Sequence, residues 1–98
     1  MAVHIIWSLL AKSDFKQAVT YIRDDNPIAA QQWRIALLER VELLADFPEL
    51  GRLVPLKANP AAREIIFGRY RIIYQYAQIT DSIQIIRIWH SARGEPEI

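Results

Sequence analysis

Arginine side chains are concentrated in the second half of the sequence, where they alternate with aromatic residues. Five of them lie on or beside β-like runs: Arg63, Arg69, Arg71, Arg87 and Arg93. Four aromatic residues are interleaved with them: Tyr70, Tyr74, Tyr76 and Trp89. A guanidinium group fits phosphate or carboxylate and stacks on rings, and basic and aromatic side chains together can bind single-stranded RNA. The same arginines could instead form a solvated sheet face, pair with acidic helices, or bind an acidic protein partner.

One histidine could carry catalysis within this arginine-rich half. His90 lies between Arg87 and Arg93, and neighbouring cations favour the neutral, basic form of its imidazole. With Arg71 to stabilise a developing phosphorane and Glu49 as a partner, His90 could support RNA cleavage by attack of a 2′-hydroxyl. The alternative is a histidine at a strand end that only hydrogen-bonds to the backbone.

Several other kinds of chemistry are not predicted. The chain has no cysteine, which excludes disulfides, thiol chemistry and cysteine-based zinc sites. Two histidines do not predict a metal site, and the three glycines form no phosphate-binding loop, so we expect no cofactor. The apolar run at residues 3–11 is interrupted by His4 and Ser8 and is too short to span a bilayer. We therefore expect a cytoplasmic protein without a membrane segment.

The charges are distributed unevenly along the chain. The net charge of +1 excludes a protein that binds nucleic acid by bulk charge. Residues 14–49 nevertheless carry four basic against seven acidic side chains, whereas residues 50–93 carry seven basic against two acidic ones. An acidic front half is therefore joined to an arginine-rich back half.

The front half reads as a strand followed by two helices, within one domain that we assign to residues 1–98. Residues 3–7 are β-branched and aromatic, which favours a short strand. Ser8 or Ser13 can cap a first helix, and Asn26 with Pro27 is typical of the start of a second. Phe47 precedes a proline and ends that helix. The short link between the helices predicts an antiparallel hairpin.

The back half reads as a loop at 51–60 followed by strands at 63–67, 70–76 and 83–89. Because the links between these strands are short, we expect an antiparallel sheet and an α+β fold overall. The alternation places Ile83 and Ile85 opposite Ile86 and Ile88, so that the last strand is apolar on both faces. Either the chain's own tail, a second copy or a partner should cover the face away from the helices, and a bulge would invert the alternation.

Seven short segments in this order resemble the ParE/RelE toxins of bacterial type II toxin–antitoxin systems. They are residues 6–8, 11–15, 26–30, 44–52, 63–64, 68–74 and 86–93. The resemblance implies a strand, a helical hairpin and an antiparallel sheet. It also implies a cognate antitoxin whose C-terminal segment wraps the toxin.

The resemblance implies two possible activities. ParE-like members inhibit DNA gyrase, whereas RelE-like members cleave mRNA, commonly in the ribosome. Segments 47–52 and 89–93 look ParE-like, and the second helix lacks the lysines of the ribosome-dependent nucleases, so a gyrase inhibitor is favoured. The alternative is an mRNA interferase in which Arg71 and His90 act, with Glu49 as a further catalytic residue. A third hypothesis is a non-toxic module that only binds an antitoxin. In each case the residues expected to contact the target or the antitoxin are Arg52, Arg63, Arg69, Arg71, Arg87, Trp89 and Arg93.

Overall fold

The computed structural model describes residues 3–54 and 59–96. Its elements are β1 (His4–Trp7), α1 (Leu9–Asp25), α2 (Pro27–Asp46), β2 (Arg52–Leu53), β3 (Arg63–Phe67), β4 (Tyr70–Ala77) and β5 (Ser82–His90), followed by a 3-10 turn at Ser91–Arg93. The α+β fold expected from the sequence is confirmed. Part of the expected loop, residues 55–58, lies outside the described residues. No helix among the described residues has the length and hydropathy needed to cross a membrane.

The helical hairpin is held by side-chain caps at both helix starts. Ser8 accepts a hydrogen bond from the Ala11 backbone N–H at 2.9 Å, so Ser8 and not Ser13 is the N-cap of α1. Asn26 accepts from the Ala29 N–H at 3.0 Å and thereby caps α2, with Pro27 in the first turn. A single residue therefore separates the two helices.

The five strands form one mixed sheet in the order β1-β5-β4-β3-β2. Strands β3, β4 and β5 pair antiparallel as expected, and β1 adds to β5 in parallel at one edge. At the other edge, β2 pairs two residues with β3. The sequence predicts a loop at 51–60, and β2 differs from this expectation because two residues are too few for alternation to be detected.

A β-bulge in β5 decides which side chains face the helices. Tyr74 of β4 pairs with Ile85 and Ile73 pairs with Arg87, so that Ile86 is the additional residue. Beyond the bulge the alternation is inverted, and Ile88 packs in the same core as Ile85. The expectation that Ile88 shares a face with Ile86 is therefore wrong.

The face of the sheet away from the helices, the far face, has its own small core. Ala62, Ile73 and Trp89 are buried there. The indole N–H of Trp89 donates to the Gly94 carbonyl at 3.0 Å, and the Arg93 guanidinium lies 4.2 Å from the centre of a Trp89 ring. Of the three covers expected for this face, the chain's own tail covers Trp89.

Candidate functional site

Arg87 lies against α1 and not on an open binding surface. Because β1 pairs with β5 only as far as Ile85, the backbone of β5 has no strand partner beyond that point on this side. Asp14 of α1 lies there and accepts from Arg87 Nε at 2.7 Å, from Arg87 Nη2 at 3.0 Å and from the Ile88 N–H at 3.1 Å. The Asp14 carboxylate therefore satisfies both an arginine and a strand edge.

Arg71 is paired with a buried carboxylate on the far face. The side chain of Glu64 is fully buried and accepts from Arg52 Nε at 2.7 Å and from Arg71 Nε at 2.5 Å. A buried carboxylate requires such partners, since desolvation strongly penalises an unpaired charge. The Arg71 side chain is only 15% exposed, and its charge is compensated by Glu64.

His90 hydrogen-bonds to the backbone at the end of β5. Its Nδ1 accepts from the Ala92 N–H at 3.1 Å, and its ring meets the edge of Tyr70 with the centroids 4.9 Å apart. A nitrogen that accepts carries no proton, which leaves Nε2–H as the ring's donor. This geometry matches the backbone-bonding alternative raised for His90.

The structure does not bring together the three candidate nuclease residues. His90 pairs with Tyr70, which packs on the helix side, whereas Arg71 is the next residue of β4 and lies on the far face. Glu49 lies beside Tyr76. Tyr76 is six residues from Tyr70 along β4, which corresponds to about 20 Å. Arg71, His90 and Glu49 therefore occupy three separate places.

The seven residues expected to contact a target or an antitoxin differ in exposure. Arg52, Arg69 and Arg93 are exposed, Arg63 and Arg71 are half-buried, and Arg87 and Trp89 are buried. The guanidinium of Arg63 donates to the Gly51 carbonyl at 2.8 Å and so holds the loop that follows α2. Arg52, Arg69 and Arg93 are thus accessible to a partner, and of these Arg52 is also paired with Glu64.

The same loop is fixed by Tyr74, which is fully buried on β4. Its hydroxyl donates to the Pro48 carbonyl at 2.8 Å and accepts from the Gly51 N–H at 2.8 Å. Burial raises the pKa of Tyr74, and this outweighs the lowering by the Gly51 hydrogen bond and by Arg63. The motif at 47–52 therefore has a structural explanation.

A cavity of about 200 Å³ opens between α1 and the ends of β4 and β5. The residues with polar side chains that line it are Asp14, Gln17, Tyr21, Tyr70, His90 and Arg93. Burial raises the pKa of Tyr70, and the nearby Tyr21 adds to this rise. The α1 residues of this cavity carry no local sequence signal, because Tyr21 is 72% exposed and lies outside the apolar stripe of its helix. Within the described residues, no three potential metal ligands lie together.

This arrangement, a helical hairpin on a mixed sheet with arginines along its later strands, defines a class of small α+β proteins. The family model for the ParE toxin of the type II toxin–antitoxin system parDE matches residues 5–94. The chain therefore belongs to the ParE toxin family within the ParE/RelE superfamily and is a toxin of the type II toxin–antitoxin class.

Two curated relatives are similar over nearly the whole chain. Toxin RelE2 of Caulobacter vibrioides is 32% identical over 90 residues, which cover 91% of this chain and 96% of the relative. Putative toxin Y4kP of Sinorhizobium fredii is 27% identical over 94 residues, which cover 96% of this chain and 94% of the relative. One relative is thus named as a RelE toxin and the other only as a putative toxin.

Two solved structures share the fold at low sequence identity. A chain of the chromosomal ParDE toxin–antitoxin system from P. aeruginosa superposes with a TM-score of 0.75 at 18% identity, covering 91% of this chain and 96% of that one. A chain of the toxin–antitoxin complex RelBE2 from Mycobacterium tuberculosis superposes with a TM-score of 0.64 at 15% identity, covering 92% and 99%. At these identities the likeness concerns the fold alone.

Proposed function

We propose that this chain is a ParE-like toxin that inhibits DNA gyrase and is neutralised by a cognate antitoxin. The observation that carries the choice is the separation of Arg71, His90 and Glu49. The match to the ParE family model along residues 5–94 supports the same choice. Because one relative is named RelE2, cleavage of mRNA is the alternative activity.

The separation matters because RNA cleavage requires several groups at one phosphate. A general base and a cationic stabiliser must both lie within hydrogen-bond reach of the reacting atoms. Arg71 and His90 lie on opposite faces of the sheet, and Arg71 is already paired with Glu64. These contacts favour a toxin that binds a target over one that cleaves RNA.

Binding to a protein target requires exposed groups and not a catalytic geometry. The segment that follows α2 exposes apolar side chains beside the edge strand β2. Phe47, Leu50 and Leu53 are each more than half exposed, at 57%, 52% and 58%. Apolar anchors within a polar rim are typical of protein interfaces. This segment is our candidate for the surface that contacts gyrase.

The open sheet edge at β1 is our candidate for the place where the antitoxin binds. The backbone N–H of His4 donates to the carbonyl of Asp81, just before β5, at 3.2 Å, and the N–H of Ser8 donates to the Ile85 carbonyl of β5 at 3.0 Å. By alternation, the backbone groups of Ile5 and Trp7 point away from β5, at the edge of the sheet. An extended partner segment can add to such an edge, and acidic side chains on it would suit the exposed arginines. The solved relatives described as ParDE and RelBE2 are toxin–antitoxin systems, which supports this partner.

Parallel assays of the two activities test the proposal. The purified chain is titrated into a supercoiling reaction with DNA gyrase and relaxed plasmid, and mRNA ends are mapped after induction in cells. We expect lost supercoiling, restored by the co-expressed antitoxin, and no new mRNA ends. Unchanged supercoiling at large excess would overturn gyrase inhibition. Defined mRNA cuts that disappear in His90→Asn would establish the ribonuclease, and the absence of any growth arrest would favour the non-toxic module.

A further inference from the structure

We infer that the cavity between α1 and the ends of β4 and β5 binds one carboxylate side chain of an acidic partner protein. The inference rests on the antitoxin proposed above, because it assigns one contact of that partner. The gyrase proposal places its contact surface on the segment after α2 and does not require this cavity to be occupied.

The size of the cavity limits what can enter it. Its volume is about 200 Å³, whereas pockets for whole drug-sized ligands usually measure about 300–1,000 Å³. A single functional group on a longer chain fits this space better than a complete cofactor or nucleotide. The cavity is also open to solvent beside the exposed Tyr21, so that a side chain can reach it from outside.

The polar groups left free in the cavity are mostly donors. The Asp14 carboxylate is occupied by Arg87 and by the Ile88 N–H. The Nδ1 atom of His90 is occupied by Ala92, which leaves Nε2–H for a ligand. Tyr21, Tyr70 and Arg93 also line the cavity, and their hydroxyl and guanidinium groups can donate, whereas the Gln17 amide already donates to Ser13 at 3.1 Å. A donor set with a cation selects an anion.

The walls are fixed before any ligand arrives. The Tyr70 ring is held between Trp33, with the centroids 5.1 Å apart, and His90, at 4.9 Å. Arg93 is held over Trp89 at 4.2 Å. Side chains that are already ordered lose less entropy on binding, so even a single contact can contribute affinity.

The charge balance favours carboxylate over phosphate. Arg93 is the cation among the described lining residues, and the Asp14 carboxylate lies in the same wall. One carboxylate matches one guanidinium. A phosphate group carries about −1.5 to −2 charges at neutral pH, which one guanidinium does not balance, since the charge of Arg87 is already paired with Asp14. The occupant is therefore an aspartate or glutamate side chain.

A titration with small probes tests the inference without gyrase or antitoxin. N-acetylglutamate α-amide, its glutamine analogue and inorganic phosphate are added separately to the ¹⁵N-labelled chain. We expect saturable shifts at Tyr21, Tyr70 and His90 with the glutamate probe alone. Equal binding of the glutamine probe, tighter binding of phosphate, or the absence of shifts would each overturn the inference. Gyrase inhibition is assayed separately, so either proposal can fail while the other stands.

Matched variants identify the groups that bind. Arg93→Gln removes the cation, and His90→Asn removes the Nε2 donor while its amide oxygen can still accept from Ala92. We expect each to bind the glutamate probe at least about tenfold more weakly. His90→Gln retains a donor near Nε2 and should lose less, and Arg34→Gln, an exposed arginine on α2, should bind as wild type. Wild-type binding by both His90→Asn and Arg93→Gln would contradict the assignment, provided that their spectra show an intact fold.

Discussion

Tyr74 and Gly51 are joined by a buried hydrogen bond that fixes the loop after α2 to the sheet. The Tyr74 hydroxyl accepts from the Gly51 N–H at 2.8 Å, and a Cβ added at Gly51 would lie 2.7 Å from the Glu64 carbonyl oxygen and 2.7 Å from Tyr74 Cε1. The residue at 51 must therefore lack a side chain. The close approach allows one phenol to satisfy two backbone groups of the loop, since the same hydroxyl donates to Pro48.

Removing this hydroxyl should destabilise the fold. Tyr74→Phe leaves the Gly51 N–H and the Pro48 carbonyl without their partner, which costs about 1–3 kcal/mol in the free energy of unfolding. Urea denaturation measures this difference. Tyr21→Phe is the matched control, since Tyr21 is 72% exposed and should change stability by less than about 0.5 kcal/mol. Equal stability of the two variants would refute the role given to Tyr74.

The same tyrosine should make the protein sensitive to alkali. The folded pKa of Tyr74 is raised above the ordinary 10.0 by burial, so folding favours the neutral phenol. The stabilisation is fully present below about pH 10 and is lost as the pH rises through the folded pKa. Unfolding free energies measured from neutral to alkaline pH should fall less steeply in Tyr74→Phe than in wild type. Parallel curves would mean that Tyr74 does not contribute to the alkaline loss.

Local sequence signals were sufficient for most elements of the fold. Asn26 and Pro27 specify the junction of the helices, and the short links specify antiparallel pairing of β3, β4 and β5, because caps and tight turns depend on neighbouring residues. The bulge at Ile86 was not predictable from alternation, since an apolar run is compatible with either face. That one residue decides that Ile88 and His90 face the helices.

The candidate site was less predictable than the fold because its contacts join distant parts of the chain. Arg71 and His90 are both polar residues near strand ends, but only the register shows that they lie on opposite faces. The carboxylate partners of the arginines were equally unpredictable. Glu64 and Asp14 were visible as charges in the sequence, whereas their pairing with Arg71 and Arg87 depends on tertiary packing.

Arg71 should contribute to stability through Glu64. Arg71→Leu leaves the buried Glu64 with Arg52 as its charged partner among the described residues, and the Arg52 side chain is 74% exposed. Loss of one partner from a buried pair costs about 3–5 kcal/mol, and Arg52 should reduce this loss. The double variant Glu64→Leu/Arg71→Leu should lose less free energy of unfolding than the two single variants lose in sum. A double-mutant cycle measures this difference. Additive effects would show that the pair is not coupled.

Asp14 should be more important for stability than Asp24 and Asp25, the two exposed acidic residues of α1. Asp14→Ala removes one carboxylate partner from Arg87 and the acceptor of the Ile88 N–H, in a pair whose Asp14 and Arg87 side chains are only 8% and 10% exposed. We expect a loss of about 3 kcal/mol in thermal or urea unfolding, because the buried guanidinium loses a charged partner. Asp24→Ala, at the exposed end of the same helix, is the control and should change stability by less than about 0.5 kcal/mol. Asp14→Asn can still accept from the Ile88 N–H. If this variant recovers part of the stability lost in Asp14→Ala, the remaining loss measures the contribution of the charge pair with Arg87. If it recovers all of the lost stability, the pairing with Arg87 contributes nothing.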